Sequence, residues 1–263
     1  RQMCIRDRSS FLKEVCPAAK SLTIRFVRTC MSVSPFPDPS VKSEPTRWEY
    51  GVSLCLLDKI PMEGRMIDGR VGYFTNKVRN YDNAVYDKGE CEFISRWKLV
   101  PHREQLEAYL GGDLVEPIKP IVFYIDKQIP TWLYPYVKRA VEAWQPAFER
   151  AGFKNAILAR PEPMREEDSV FSVDNARYAY ISYKTSPLKN AYGPSSVDPR
   201  SGEILCSHIG IFNSISDLVQ ELYFCQAGAL DSLARRIVLP DTLLGKLIQY
   251  VVCHEVGHAL GLK

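Results

Sequence analysis

The segment from Asp241 to Lys263 (DTLLGKLIQYVVCHEVGHALGLK) constrains the fold of this chain more than any other. Leu243, Leu244, Leu247, Ile248, Val251, Val252, Ala259 and Leu260 spread apolar surface over nearly every side of a helix that runs from an Asp241 N-cap to about Leu260. Such a helix has no face to give to water, so other elements must enclose it. Set into that surface are His254, Glu255 and His258. Burying three ionisable groups together without partners is costly.

A metal ion resolves the conflict. His254 and His258 stand one turn apart on one face, so both imidazoles can reach a single ion. Neutral imidazole nitrogens bind zinc at about 2.0–2.1 Å. Glu255 follows the first of them, within reach of a water on the metal. Zinc lowers the pKa of such a water to about 7, and a carboxylate can then take its proton. Gly261 comes three residues after His258 and can adopt the left-handed conformation that ends a helix and turns the chain back. That turn would bring the residue at position 264 toward the same ion. The alternative is a set of hydrogen-bonded core polar groups; the apolar surroundings and the placed glycine favour the metal.

Elements able to enclose the helix lie upstream. Ile121–Ile125 (IVFYI) is short and continuously apolar, as in a buried strand. A helix over Trp132–Ala151 follows, its apolar positions spaced by three and four, with a kink expected at Pro146 and a stop at Gly152. Asn155–Ala159 completes a strand–helix–strand unit, which is right-handed and parallel in nearly all cases. Ala176–Lys184 reads as a third strand. Ala191–Val197 and Ile204–Phe212 flank the turn Asp198–Gly202 as a hairpin. Pro194 cannot donate a ladder hydrogen bond, which places Ala191–Val197 at a sheet edge. An exposed edge can accept an extended peptide as an extra strand. A helix over Ile215–Gln226 leads on to the final segment.

The first half has a different texture. Leu22–Val27 and Trp48–Leu56 alternate apolar and polar residues as strands do, the turn-rich stretch Ser34–Pro45 lies between them, and Phe93–Val100 leads into a helix over Arg103–Leu110. Arg1–Arg8 (RQMCIRDR) reads as translated sequencing adaptor. The expected organisation is therefore an adaptor scar over 1–8, a β-rich domain over 9–116 and a second domain over 117–263, with the boundary at Pro117–Pro120. The class is α+β: a β-rich N-terminal domain, then a mixed, mostly parallel twisted sheet with an antiparallel edge strand, a crossover helix and an active-site helix. His102 reads as a surface residue, and no known ligand spacing demands His208.

Composition removes other classes. A net charge of +3 with interspersed signs does not argue for nucleic acid or an anionic membrane. No apolar run approaches the roughly 18 residues of a membrane-spanning helix. The eight cysteines form no C-x-x-C pair, which excludes a zinc ribbon or a thioredoxin-type site and suggests mostly free thiols.

His254-Glu-Val-Gly-His258-Ala-Leu-Gly261 is similar to the extended metzincin motif H-E-x-x-H-x-x-G-x-x-H. With VGYFTNKVRNYD, PIVFYID and NAYGPSSVDPRSGEIL, the chain from Ser9 to Lys263 resembles a bacterial Met-zincin family of zinc-dependent metalloproteases, in which a domain of unknown function precedes the catalytic domain. The resemblance implies zinc ligands at His254 and His258, a general base at Glu255, and a peptide or protein substrate held along Tyr192, Gly193, Pro194, Ser195 and Ser196. It also implies a place outside the cytoplasm. The motif's third histidine falls at position 264 and the methionine turn lies beyond it, so this stretch is expected to be an N-terminal fragment that binds zinc poorly and is inactive by itself. Two rivals are a non-catalytic protein- or glycan-binding module with a structural helix, and a zinc hydrolase acting on something other than peptides.

Overall fold

The computed structural model describes residues 10–18, 20–31, 45–79, 90–164, 171–173 and 175–263. The adaptor-like Arg1–Arg8 and the stretch Ser34–Pro45, apart from Pro45 itself, lie outside the described residues. The chain forms two compact units, Arg1–Leu57 with Val170–Arg177, and Asp58–Ser169 with Tyr178–Lys263.

The first unit is an antiparallel meander of β1 (Phe11–Ala18), β2 (Ser21–Met31) and β3 (Pro45–Cys55). Leu22, Ile24 and Phe26 lie opposite Leu54, Val52 and Tyr50, and the Phe26 and Tyr50 rings stack at 5.7 Å. Such cross-strand pairs stabilise a sheet by roughly 0.2–1 kcal/mol each. The alternation expected from the sequence is present, but the buried positions are Ser21, Thr23 and Val27, while Val52 and Leu54 are exposed. The Ser21 hydroxyl donates to Asn175 Oδ1 at 2.7 Å, and the Thr23 and Ser53 hydroxyls meet at 3.1 Å, so the buried face is satisfied by polar contacts.

The second unit runs through β4 (Thr75–Arg79), β5 (Glu90–Ile94), α1 (Leu106–Leu110), β6 (Ile121–Ile125), α2 (Tyr134–Glu142), α3 (Gln145–Arg150), β7 (Ile157–Pro161), β8 (Ala179–Lys184), β9 (Ala191–Tyr192), β10 (Ser195–Val197), β11 (Ile204–Phe212), α4 (Ile215–Ala227) and α5 (Asp241–Ala259). The Pro117–Pro120 stretch lies within this unit. Its main sheet has the order β10-β11-β8-β6-β7, with β9 also paired to β11. β7, β6, β8 and β11 are parallel; β9 and β10 run antiparallel to β11 at the edge. The fold is α+β, with the mixed, mostly parallel sheet and antiparallel edge strand that the sequence predicts.

Local chemistry moves several boundaries. The stretch Trp132–Ala151 is two helices rather than one kinked helix: α2 ends at Glu142, and Pro146 sits in the first turn of α3, where its missing N–H leaves no helical bond unmade. Gly152 ends α3 at φ +89°, as expected. Ile121–Ile125 alternates, with Ile121, Phe123 and Ile125 buried and Val122 and Tyr124 only half-buried. Phe93–Val100 holds strand pairing only as far as Ile94, apart from one bridge at Arg96. Pro240, not Asp241, is the cap of α5, and Asp241 is its first residue, where a carboxylate favours the positive end of the helix dipole.

The core lies between the sheet and the helices. Phe123, Ile181, Ile209 and Ile211 pack with Val137 and Val141 of α2 and Val252 and Val256 of α5, all essentially inaccessible. Full burial of one such side chain stabilises by about 1.5–3 kcal/mol. Two glycines bring α5 against its neighbours: a β-carbon at Gly245 would sit 2.5 Å from the Tyr136 ring, and one at Gly257 would sit 2.9 Å from the Trp144 indole. The expected full enclosure of the final helix is met on one side only: Ile248, Val252, Val256 and Ala259 are buried, whereas Thr242, Lys246, Tyr250 and His254, four residues apart, form a stripe that faces water. Among the described residues no helix is long and apolar enough to cross a membrane.

Candidate metal centre

The last two turns of α5 carry the three groups singled out by sequence. His254 is exposed, His258 is half-buried, and Glu255 keeps only 8% of its surface. The His254 and His258 rings lie 4.3 Å apart, centroid to centroid, at 78° to one another. The helical spacing has brought the two imidazoles together.

His258 is fixed in a second way. Its Nδ1 lies 2.9 Å from the carbonyl oxygen of Leu262. A carbonyl oxygen can only accept, so the neutral ring carries its proton on Nδ1 and leaves the Nε2 lone pair free to bind a metal. That carbonyl is in place because of how the helix ends. Leu262 N–H donates to Gly257 at 3.0 Å and Gly261 N–H to His258 at 2.9 Å, the paired bonds of a Schellman motif. Gly261 has φ +104°, and a β-carbon there would lie 2.1 Å from the Ser95 carbonyl oxygen. Both the left-handed backbone and the close approach require glycine.

The chain beyond the helix pairs with a segment far away in sequence. Phe74 N–H donates to Gly261 at 2.7 Å, Lys263 N–H donates to Gly72 at 3.0 Å, and Tyr73 forms an antiparallel bridge with Leu262. The Phe74 ring lies 5.6 Å from the His258 ring. Trp97 Nε1 donates to the Ala259 carbonyl at 2.9 Å, and Trp144 Nε1 to the Cys253 carbonyl at 3.1 Å. Burial raises the Cys253 thiol above its ordinary pKa, with the Trp144 contact opposing that rise.

The edge strand is placed alongside. Gly193 and Pro194 separate β9 from β10, so the predicted Ala191–Val197 strand is two short pieces. Pro194 gives its carbonyl to His208 N–H at 3.0 Å and to the Ser207 hydroxyl at 3.1 Å. Ser195 faces Ser207 and Ser196 faces Cys206 across the pair. Tyr192 lies over Gly210, where a β-carbon would sit 2.5 Å from its ring, and Lys184 donates to its hydroxyl. Gly193 comes up against Glu255. The hairpin turn is held by Asp198, whose carboxylate accepts from Arg200 Nε at 3.0 Å and Nη2 at 2.7 Å. These bonds hold Asp198 below the usual carboxylate range.

Two imidazoles are therefore the metal donors this arrangement brings together. Among the described residues no group of three His, Cys, Asp or Glu side chains stands where it could hold a metal ion. His102 is exposed on the way into α1, and His208 lies on β11 with its ring 6.0 Å from that of Tyr180. Cys55, Cys91, Cys225 and Cys253 carry free thiols, as their spacing suggested. The donors present fit zinc as far as they go: nitrogen ligands, one of them fixed in tautomer, beside a carboxylate. Phe74, Ser95 and Trp97 were not legible as site residues, because nothing in their spacing ties them to a helix that begins more than 140 residues later.

Residues 236–263 match the family described as Met-zincin, and residues 3–102 match a domain of unknown function, DUF5117. No curated protein and no solved structure matches the chain. The C-terminal region is thus metzincin-like, and the family it resembles implies zinc use and metallopeptidase chemistry. The DUF5117 match crosses from the first compact unit into the second, so its later part shares a unit with α5.

Proposed function

We propose that α5 and the β9–β10 edge form the zinc-binding and substrate-holding side of a metallopeptidase site. His254 and His258 hold the ion through their ring nitrogens, and Glu255 is the general base. Zinc, when bound, acts as a Lewis acid toward a carbonyl and acidifies a water to a pKa of about 7. Glu255 takes the proton from the attacking water and returns it to the departing amine nitrogen as the amide bond breaks. The observation that carries this reading is the Nδ1 contact of His258 with the Leu262 carbonyl at 2.9 Å, which leaves Nε2 as a free donor beside His254.

A peptide substrate is favoured by the edge. Pro194 turns its carbonyl inward to His208, and backbone groups alternate along an antiparallel strand. The N–H and C=O of Ser195 then point outward, where an extended peptide can pair with them. Gly193 keeps that line of backbone close to Glu255.

Zinc titration tests the reading. With two imidazoles alone the 263-residue chain should bind zinc weakly. One histidine added after Lys263 should raise the affinity sharply, to about one equivalent per chain, and confer chelator-sensitive cleavage of an unstructured peptide. If neither protein takes up zinc at neutral pH, the metal reading fails.

A further inference from the structure

The strongest unassigned feature is the segment Gly72–Phe74, which wraps the end of α5. Its main chain bonds to the turn on both sides of Leu262: Phe74 N–H to Gly261 at 2.7 Å, and Gly72 C=O from Lys263 N–H at 3.0 Å. Leu262 is the residue whose carbonyl receives the His258 Nδ1 proton. The same segment lays the Phe74 ring against the His258 ring at 5.6 Å and 58°. It therefore holds the acceptor that sets the tautomer of His258 and also sets a ring beside the imidazole itself. Ser95 and Trp97 complete the clasp, Ser95 beneath Gly261 and Trp97 on the Ala259 carbonyl. Phe74 is still 43% exposed, so it borders open space beside the histidine instead of serving only as core.

From this geometry we infer that Phe74 is a positioning residue for His258, acting from a part of the chain that matches a domain of unknown function. The inference rests on the metal-site reading but is testable without it. Groups that orient a metal-binding histidine from outside the coordination sphere commonly alter metal affinity by about 10–100-fold when removed. A ring that merely fills space would change stability and leave the imidazole unaltered. The later part of the region matching DUF5117 is then a working part of the site, and a C-terminal piece lacking it would have a His258 free to rotate and exchange tautomers.

The test is long-range proton–nitrogen NMR of the 263-residue chain without metal, together with Co2+ and Zn2+ titrations. The chain has four histidines, and a His258→Gln variant identifies the relevant pair of signals. The wild-type spectrum is expected to show His258 protonated at Nδ1 and bare at Nε2. Phe74→Ala should move those signals toward a tautomer average and weaken metal binding by about tenfold. Phe74→Tyr, which keeps the ring, should restore both. Wild-type nitrogen shifts and affinity in Phe74→Ala would overturn the inference. If Phe74→Ala does not fold, Phe74→Leu takes its place, with the same expected and overturning results. Normal NMR behaviour combined with no metal uptake by the wild type sinks the zinc reading and leaves the positioning role intact.

Discussion

Gly193 and Glu255 are in contact range without a side chain between them: a β-carbon at position 193 would lie 3.2 Å from the Glu255 carbonyl oxygen and 3.7 Å from its Oε2. A β-carbon there would be tight against the helix backbone, so glycine at residue 193 eases this close approach of the sheet edge. Any chain added along β10 is thereby brought near the carboxylate assigned as base. The glycine links the two halves of the proposed chemistry, substrate placement and proton transfer.

Adding that β-carbon should separate the two halves. Gly193→Val places branched carbon where backbone and carboxylate now meet, so the edge must retreat or Glu255 must turn. In the chain carrying the added histidine, peptide cleavage is expected to fall by at least about tenfold, since small displacements of reacting groups are costly in rate. Zinc stoichiometry should stay at one. Equal cleavage by the variant would show that the edge does not present substrate to Glu255.

Glu255→Gln isolates the proton. The amide is nearly isosteric with the carboxylate but cannot serve as base, and positioned acid–base groups contribute about 10²–10⁴-fold. Turnover should fall by that order while zinc remains bound. Loss of zinc instead would make Glu255 a structural group of the helix, and the base would have to be sought elsewhere.

Gly257 in the last turn of α5 and Gly261 just past its end separate packing from backbone strain. In a free helix, Gly→Ala gains about 1 kcal/mol of propensity. At Gly257 the new carbon would sit 2.9 Å from the Trp144 indole, which also holds the Cys253 carbonyl. Overpacking costs about 1–3 kcal/mol, so the net effect should be a loss of up to about 2 kcal/mol. Gly261→Ala meets backbone at 2.1 Å and must also hold φ +104°. Its cost should exceed that of Gly257→Ala by at least about 1 kcal/mol. Urea unfolding of both variants measures the order, and a reversed order would mean that the Ser95 contact yields more easily than the indole.

How far the sequence reaches follows from the range of the forces it encodes. The helix of His254 and His258 was legible because local periodicity and burial coincide there. So was the edge strand, because Pro194 lacks a donor. The interruption near Pro146 was legible, but only as a kink: spacing by three and four runs on past Glu142 into Trp144 and Phe148, although the backbone stops at Glu142 and restarts at Gln145. The Phe74–His258 contact was out of reach in principle, since it depends on the chain returning across more than 180 residues, and no short-range pattern records that. Gly257 looked like an ordinary motif position until Trp144 appeared beneath it.

Acid should loosen the edge hairpin through one carboxylate. Asp198 is 2% exposed and accepts from the Arg200 backbone N–H at 2.9 Å as well as from its guanidinium. Those bonds lower its folded pKa below the unfolded value of about 3.9. A carboxyl shifted in that direction contributes stability that is fully present above about pH 4 and is lost as pH falls through the folded pKa. Asp198→Asn leaves the shape but removes the charge, and hydrogen bonds to charged groups are worth about 1.5–3 kcal/mol. The gap in unfolding free energy between wild type and variant should therefore be constant from pH 7 to about pH 5 and should close below pH 4. A gap unchanged down to pH 2 would mean that shape rather than charge holds the turn, leaving the edge beside Gly193 indifferent to acid.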